Sequence, residues 1–208
     1  MKAFFERYSY DSVRMFLNQI VISMFGFGLA IAAVTADNDT LLLVTGIGAI
    51  IFYIMLTYGS AWQCGSRDRQ SIELGKLTFA PFRGVLVSLV ANSINLLLAI
   101  LMCIGRFSGL HALNDIPRFI ALFIQGMYQG VLAYFKPFGV PLNERWWIYL
   151  LLPLPAIITS LIGYIAGAKD FHITRVGVPE LPASDRPTKA EIKEKRKEER
   201  EDQSEKPQ

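Results

Sequence analysis

The chain has 208 residues, of which 52% are hydrophobic, and its formal net charge is only +3. So small an excess argues against a nucleic-acid-binding protein, in which Lys and Arg normally cluster on one face. Long apolar runs occur only before residue 169, whereas 20 of the 39 charged residues lie in the last 40 positions, 169–208. This division predicts one membrane-embedded body followed by one tail.

The first predicted element is an apolar run over residues 13–36, which is long enough to cross a bilayer as a helix. It is also longer than the apolar core of a secretory signal, so we expect it to remain as a span. Residues 1–12 mix charged and aromatic side chains, which predicts a cytoplasmic surface segment. A second run, 41–64, follows a tight acidic turn, so the two runs are expected to form a helical hairpin.

Two further runs complete a predicted body at 13–168. The third covers residues 85–106, and the fourth covers 146–168. Trp146 and Trp147 open the fourth run and are expected to anchor it at the outer membrane interface, where Trp is enriched. Prolines in the first half of the fourth run predict a kink there, which membrane helices tolerate.

An amphipathic segment over 116–135 lies in the long connection 107–145. Arg118, Gln125 and Gln129 fall on one helical face, and apolar side chains occupy the opposite face. This pattern is typical both of a helix lying in the interface and of a span whose polar stripe faces other helices. We expect a shallow or strongly tilted outer helix, with Arg118 reaching a lipid headgroup or a carboxylate. The predicted interfacial residues are therefore Arg118, Gln125 and Gln129, together with Trp146 and Trp147.

The distribution of Lys and Arg orients these elements, because both favour the cytoplasmic side close to a span. The turn after the first run has neither residue, whereas the N-terminus and the loop after the second run are basic. The fold class expected is therefore all-α, a polytopic membrane helical bundle with four spans and one amphipathic or interfacial helix. Both termini are expected in the cytoplasm, with 169–208 forming a charged, largely disordered cytoplasmic tail.

Polar side chains recur at helical spacing inside the first and third runs. Amides and small residues on one face hydrogen-bond across helix contacts and allow close approach, so bundle packing is the simplest interpretation. A polar-lined cavity between helices is the functional alternative. We expect Asn92 and Asn95 to face the bundle interior and to pair with Asn18 or Gln19. The candidate intramembrane polar cluster consists of Asn18, Gln19, Ser88, Asn92 and Asn95.

No nucleotide, metal or nucleophile motif occurs in the sequence, so we expect a non-enzymatic protein with no catalytic, cofactor-binding or metal-binding residues and no cofactor. The centres of the four runs lack Asp, Glu, Lys and Arg, which argues against a proton-coupled transporter. A scaffold or accessory subunit of a membrane complex is the leading expectation. The alternative is a small permease or channel for a neutral or amphipathic solute. A weaker third class is a lipid-modifying enzyme with Arg118 or Lys136 at the interface.

Four short segments also carry a resemblance to a group of small integral membrane proteins of Gram-positive, clostridial-type bacteria. They are 16–20 (FLNQI), 88–92 (SLVAN), 124–128 (IQGMY) and 152–156 (LPLPA). The resemblance covers the body and not the tail, and it implies a bacterial plasma membrane location and no particular chemistry. The expected partners are the lipid bilayer and either a second copy of the chain or another membrane protein, with no nucleic acid.

Overall fold

The structure is a computed structural model that describes residues 2–171, and this part of the chain consists of helices joined by turns and short connections. Three of its helices are long and apolar enough to cross a membrane, or four if one bent pair of helices counts as a single span. The all-α class expected from the sequence is confirmed for these residues. The predicted tail lies outside the described residues from position 172 onward.

The first two helices form an antiparallel hairpin. Helix α1 spans Lys2–Thr35 and α2 spans Asp39–Glu73. Asn38 caps α2 by accepting a hydrogen bond from the backbone amide of Leu41, at 2.9 Å, which satisfies one of the free donors of its first turn. We call this junction the Asn38 end of the bundle. The opposite end, where α1 begins and α2 ends, is named the Asp68 end.

Both helices extend further than the apolar runs predict. Residues 2–12, expected as a separate surface segment, form the first turns of α1. Neither Gly nor Pro occurs among these residues, so nothing interrupts the hydrogen-bond ladder there. Helix α2 continues beyond residue 64 through the polar stretch that we expected to be a loop. Side-chain contacts with α1 hold that extension in place.

The last apolar run packs in parallel against α2. Short α7 spans Ile148–Leu151 and α8 spans Leu154–Ala168, so the break falls close to the predicted kink. A Cβ atom placed on Gly163 would lie 2.8 Å from the carbonyl of Tyr58, and one on Gly167 would lie 2.0 Å from the Trp62 carbonyl. These glycines therefore allow the two backbones to touch.

The third run is bent rather than straight. Helix α3 spans Phe82–Ala91, α4 spans Ser93–Ser108, and their axes differ by 64°. The single helix expected over 85–106 is therefore wrong at Asn92, which takes φ −93° and ψ 9°. Helix α3 begins at the Asp68 end, where Gly84 packs against the carbonyl of Ser160 in α8.

The amphipathic segment is divided in two, which corrects the expected helix over 116–135. Helix α5 spans His111–Ile124, a 3-10 turn covers Gly126–Tyr128, and α6 spans Gln129–Tyr134. The chain bends at Gly126, where its backbone is in close contact with α1. A Cβ atom on Gly126 would lie 2.2 Å from the carbonyl of Ser23. A side chain at this position would push the segment away from α1.

The two halves of this segment run in opposite directions. At the start of α5, the backbone of Leu113 lies against Gly105 near the end of α4. At the end of α6, Ala133 packs with Ala33 and Leu42, which belong to the Asn38 end. Both ends of the segment are therefore at the Asn38 end and its turn lies halfway along the bundle. We call residues 111–134 the re-entrant hairpin, because the chain enters the bundle from the Asn38 end and returns to the same end.

Candidate functional site

The re-entrant hairpin turns its polar face into the protein. Gln125 is 1% exposed and Gln129 is 5% exposed, whereas Phe119 and Phe123 on the opposite face are 61% and 45% exposed. Of the two arrangements that the amphipathic pattern allows, the side-chain burial agrees with the one in which polar residues face other helices. The buried amides therefore belong to the interior of the bundle.

Two side chains of α1 hold the turn of this hairpin in place. Ser23 Oγ donates to the carbonyl of Ile124 at 2.6 Å, and Gln19 Nε2 donates to the same carbonyl at 3.1 Å. Because α5 ends there, this carbonyl has no helical partner of its own. The small and amide residues of α1 thus serve as caps for a broken helix.

The second break, at Asn92, is also lined by amides. Asn92 Nδ2 donates to the carbonyl of Ser88 at 3.0 Å, and Asn95 Nδ2 donates to Asn92 Oδ1 at 2.9 Å. Both asparagines are buried, at 3% and 2% exposed, as is Ser88 at 1%. The prediction that Asn92 and Asn95 face the interior is therefore confirmed.

The predicted pairing of these asparagines with the first span is not found among the described residues. Asn18 donates instead to Ser60 Oγ of α2 at 3.2 Å, and Gln19 binds the hairpin turn. The prediction did not take the re-entrant hairpin into account. The hairpin turn occupies the position next to Gln19 that the sequence analysis assigned to the third span.

Tyr53 of α2 connects the two helix breaks. Its phenol lies close to the side chains of Thr57 and Asn92, and its ring lies 6.2 Å from the ring of Tyr128 in an edge-to-face arrangement. Tyr128 belongs to the turn of the re-entrant hairpin. We call the connected set the broken-helix cluster, which consists of Tyr53, Asn92, Asn95, Gln125, Tyr128 and Gln129.

Several polar atoms of the broken-helix cluster are buried without a hydrogen-bond partner in the described part of the chain. They are Asn95 Oδ1, both side-chain polar atoms of Gln125, Tyr128 Oη and Gln129 Nε2. An unsatisfied buried polar group costs about 1–3 kcal/mol, so such atoms are uncommon in native proteins and need an explanation. Amides and a phenol offer hydrogen bonds of both kinds and no formal charge.

Arg118 lies between this cluster and the Asn38 end. Its guanidinium and the side chain of Gln129 are next to the phenol of Tyr149, which is fully buried. The expected contact of Arg118 with a carboxylate is not found among residues 2–171. Trp146 packs edge-to-face against Phe107 at the Asn38 end, with ring centroids 5.5 Å apart.

The other predicted anchor is more open. The side chain of Trp147, at the start of the last apolar run, is 40% exposed to solvent. It lines a cleft at the Asn38 end together with Trp146. The residues predicted to be interfacial are therefore divided: Gln125 and Gln129 are buried in the broken-helix cluster, whereas neither tryptophan belongs to it.

A charged cluster at the Asp68 end escaped the sequence analysis. Asp68 is fully buried, and its carboxylate accepts hydrogen bonds from Arg7 at 2.7 and 3.0 Å, from Tyr8, and from Tyr164 at 2.8 Å. Arg83 Nη1 lies 3.9 Å from the same carboxylate. These partners come from α1, α3 and α8, so Asp68 joins four helices.

A second ion pair supports the same end. Arg67 bonds to Asp11, a buried carboxylate of α1. Asp68 lies on the α2 face that also carries Cys64 and Ala61, four and seven positions earlier. That helical spacing was the available signal, but the surrounding charges favoured a loop. Both ion pairs join helices through their side chains, and we assign them a structural role.

Among residues 2–171, no group of three or more His, Cys, Asp and Glu side chains is arranged to hold a metal ion. Comparison of the chain with protein-family models, with curated proteins and with solved structures finds no match.

Proposed function

We propose that the chain is a multi-pass membrane protein in which α1, α2, the bent pair α3–α4 and the pair α7–α8 are four spans. The re-entrant hairpin would then enter and leave the membrane from the Asn38 end. Backbone that is not helical at membrane depth is tolerated where it is buried in protein or lines a cavity. The burial of Gln125 and of residues Gly126–Tyr128 supports this arrangement.

We place the Asp68 end in the cytoplasm. Basic residues are more numerous there, which is the asymmetry expected of cytoplasmic ends. At the Asp68 end they are Lys2, Arg7, Arg14, Arg67, Arg69, Lys76, Arg83 and Lys169, against Arg106, Arg118, Lys136 and Arg145 in the other half. Four spans put both termini on the same side. The bacterial plasma membrane is the location that the resemblance implies.

We further propose that the broken-helix cluster is the binding site of a permease or channel for a small neutral solute. The observation that carries this proposal is the set of buried, unpartnered polar atoms where two broken helices meet. Transporters commonly form substrate sites near the bilayer midplane from discontinuous helices. Amide and phenol groups suit a solute that donates and accepts hydrogen bonds without carrying charge.

Solute flux into proteoliposomes tests this proposal. After an osmotic step with glycerol or urea, we expect protein-containing vesicles to re-swell faster than protein-free vesicles. Gln125→Leu should lower the protein-dependent rate about tenfold, which corresponds to the loss of one buried hydrogen bond of about 1.4 kcal/mol. The variant should be at least as heat-stable as the parent, because it removes unpartnered buried atoms.

Gln70→Leu is the matched control, because Gln70 is exposed on α2 far from the cluster. It should retain the parent flux. If protein-containing vesicles re-swell no faster than empty ones with either solute, the permease proposal fails. The scaffold or accessory subunit expected from the sequence would then remain, and its exposed apolar faces would be examined for a protein partner.

A further inference from the structure

A cleft of about 360 Å³ opens at the Asn38 end, apart from the broken-helix cluster. It lies where the end of α4, the start of α5 and the connection before α7 meet. Its volume falls in the range of about 300–1,000 Å³ that small-molecule sites occupy. Five side chains that line the cleft define its chemistry: Arg106, Glu144, Arg145, Trp146 and Trp147.

Neither guanidinium group of the cleft has an acidic partner among residues 2–171. Neither Arg106 nor Arg145 forms an ion pair within 4 Å in the described part of the chain. Arg145 Nη2 donates to the carbonyl of Pro137 at 2.9 Å, which orients the side chain. Its Nε atom is shielded from solvent and has no hydrogen-bond partner among those residues. A shielded donor on a cation is costly unless an acceptor reaches it.

The remaining side chains define what kind of anion fits. Glu144 also lines the cleft, so the two arginines leave a net charge of +1. A singly charged phosphodiester matches this charge better than a doubly charged phosphate ion does. Trp146 and Trp147 add flat apolar surfaces beside the charges. Trp concentrates at the level of lipid headgroups, where one part of its ring is apolar and the other is polar.

We propose that this cleft binds the phosphodiester group of a glycerophospholipid from the leaflet at the Asn38 end. The guanidinium groups of Arg106 and Arg145 hold the phosphate oxygens, for which Arg has the matching planar geometry. The two tryptophans pack along the glycerol and the first acyl carbons. This inference rests on the proposed membrane insertion of the chain and is independent of solute transport.

Native mass spectrometry of the full chain, released from detergent micelles containing phosphatidylglycerol, tests the inference. We expect one retained lipid per chain, and about tenfold weaker retention in Arg106→Gln, as for one lost charge-assisted hydrogen bond. The double variant with Arg145→Gln should lose the lipid. Arg106 makes no hydrogen bond or ion pair within the described residues, so its replacement leaves the fold intact even if the double variant unfolds.

Lys136→Gln is the matched control, because Lys136 is an exposed cation of the same connection that does not line the cleft. It should retain the lipid fully. Equal loss in Lys136→Gln and Arg106→Gln would show general charge attraction and overturn the proposal. Lipid retention by the folded Arg106→Gln variant at the parent level would also overturn it.

Added inorganic phosphate distinguishes the two sources of a phosphate group. At millimolar concentration it should leave the lipid in place, and displacement of the lipid by phosphate would assign the cleft to a soluble anion instead. Gln125→Leu, the variant that tests the transport site, should not change lipid retention. A chain that retains lipid but moves no solute would therefore contradict the proposed function and leave this inference intact.

Discussion

At the scale of single residues, Asp68 is a fully buried carboxylate, so its burial requires several hydrogen-bond donors. A carboxylate removed from water loses several kcal/mol of hydration, which partners must restore. Two bonds from Arg7 and two phenol donors supply this. The Arg7 side chain is 34% exposed, so water screens part of its charge. The phenols, which are buried, are therefore as important to Asp68 as the cation.

Asp68→Asn should destabilise the protein by about 3 kcal/mol, the lower end of the range for breaking a buried ion pair. We choose the lower end because Asn keeps the shape and can still accept from Tyr8 and Tyr164. Thermal unfolding in detergent, followed by loss of the monodisperse peak, measures the change. Glu73→Gln on the same helix is the control, since its ion pair with Arg69 is exposed. Equal stability in Asp68→Asn and the parent would contradict the structural part assigned to this cluster.

Residue patterns in the sequence identified buried amides more readily than buried charge. Asn92 and Asn95 are polar residues in apolar surroundings, where exposure to lipid would be costly, so their burial could be predicted. Gln125 was expected at the interface, because an interfacial helix and a packed span share its amphipathic pattern. Asp68 is surrounded by Arg67 and Arg69, and nothing local distinguishes it from a solvated loop residue. Its burial depends on Arg7 and other distant residues of the chain. Only the packed structure brings them together.

At the scale of elements, glycine sets how closely the re-entrant hairpin approaches α1 and α2. Gly126 meets the Ser23 carbonyl, and Gly130 meets the carbonyl of Leu42, 2.7 Å from where its Cβ would lie. Both contacts are with backbone atoms, which cannot move aside as a flexible side chain can. The hairpin is therefore held at two points along its length, one beside each helix.

Gly126→Ala should destabilise the protein by about 1–3 kcal/mol, the usual cost of forcing a methyl group into a packed site. Gly28→Ala is the matched control, because the Cβ position at Gly28 in α1 has no neighbour within 4 Å beyond the adjacent backbone of its own helix. The readout is the midpoint of thermal unfolding in detergent for both variants. Equal midpoints for Gly126→Ala and Gly28→Ala would mean that the hairpin does not pack as closely as the structure has it.

Element breaks were the least predictable part of the fold. The kink near Pro153 has a covalent cause, because proline lacks an amide proton, and the sequence predicts it. The breaks at Asn92 and Gln125 have no such cause. Each is stabilised by side chains that arrive from elsewhere, such as Ser23 and Gln19 at the end of α5. Apolar periodicity alone therefore predicts straight helices at both places.

For the whole molecule, the main question is on which side of a membrane each connection lies. The direction of α1 and α2 puts residue 40 at one end and residue 76 at the other. The connections on both sides of the re-entrant hairpin, around residues 108 and 136, return to the Asn38 end. If residues 111–134 form a hairpin, residue 136 lies on the same side as residue 108. If they form a fifth full span, residue 136 lies on the opposite side. The sequence pattern is compatible with both topologies.

Cysteine accessibility in intact cells distinguishes these topologies, after the native cysteines have been replaced by alanine. Single cysteines at Thr40, Ser108 and Lys136 should react with a membrane-impermeant maleimide added from outside. A cysteine at Lys76 should react only after the membrane is opened, because the Asp68 end is placed in the cytoplasm. Labelling of Ser108 and Lys136 from opposite sides would contradict the hairpin and indicate a full span.

The order in which Asp68 and its partners occur along the chain has a consequence for biogenesis. Ribosomes deliver Arg7 and Tyr8 first, then Asp68, then Arg83, and Tyr164 only with the last helix. The carboxylate must wait for its final partners while nearly one hundred further residues are synthesised, since Tyr164 follows it by 96 positions. A nascent chain that stalls before α8 therefore presents an incompletely satisfied acidic residue beside the membrane. We therefore expect a chain truncated before α8 to be degraded in cells faster than the full chain.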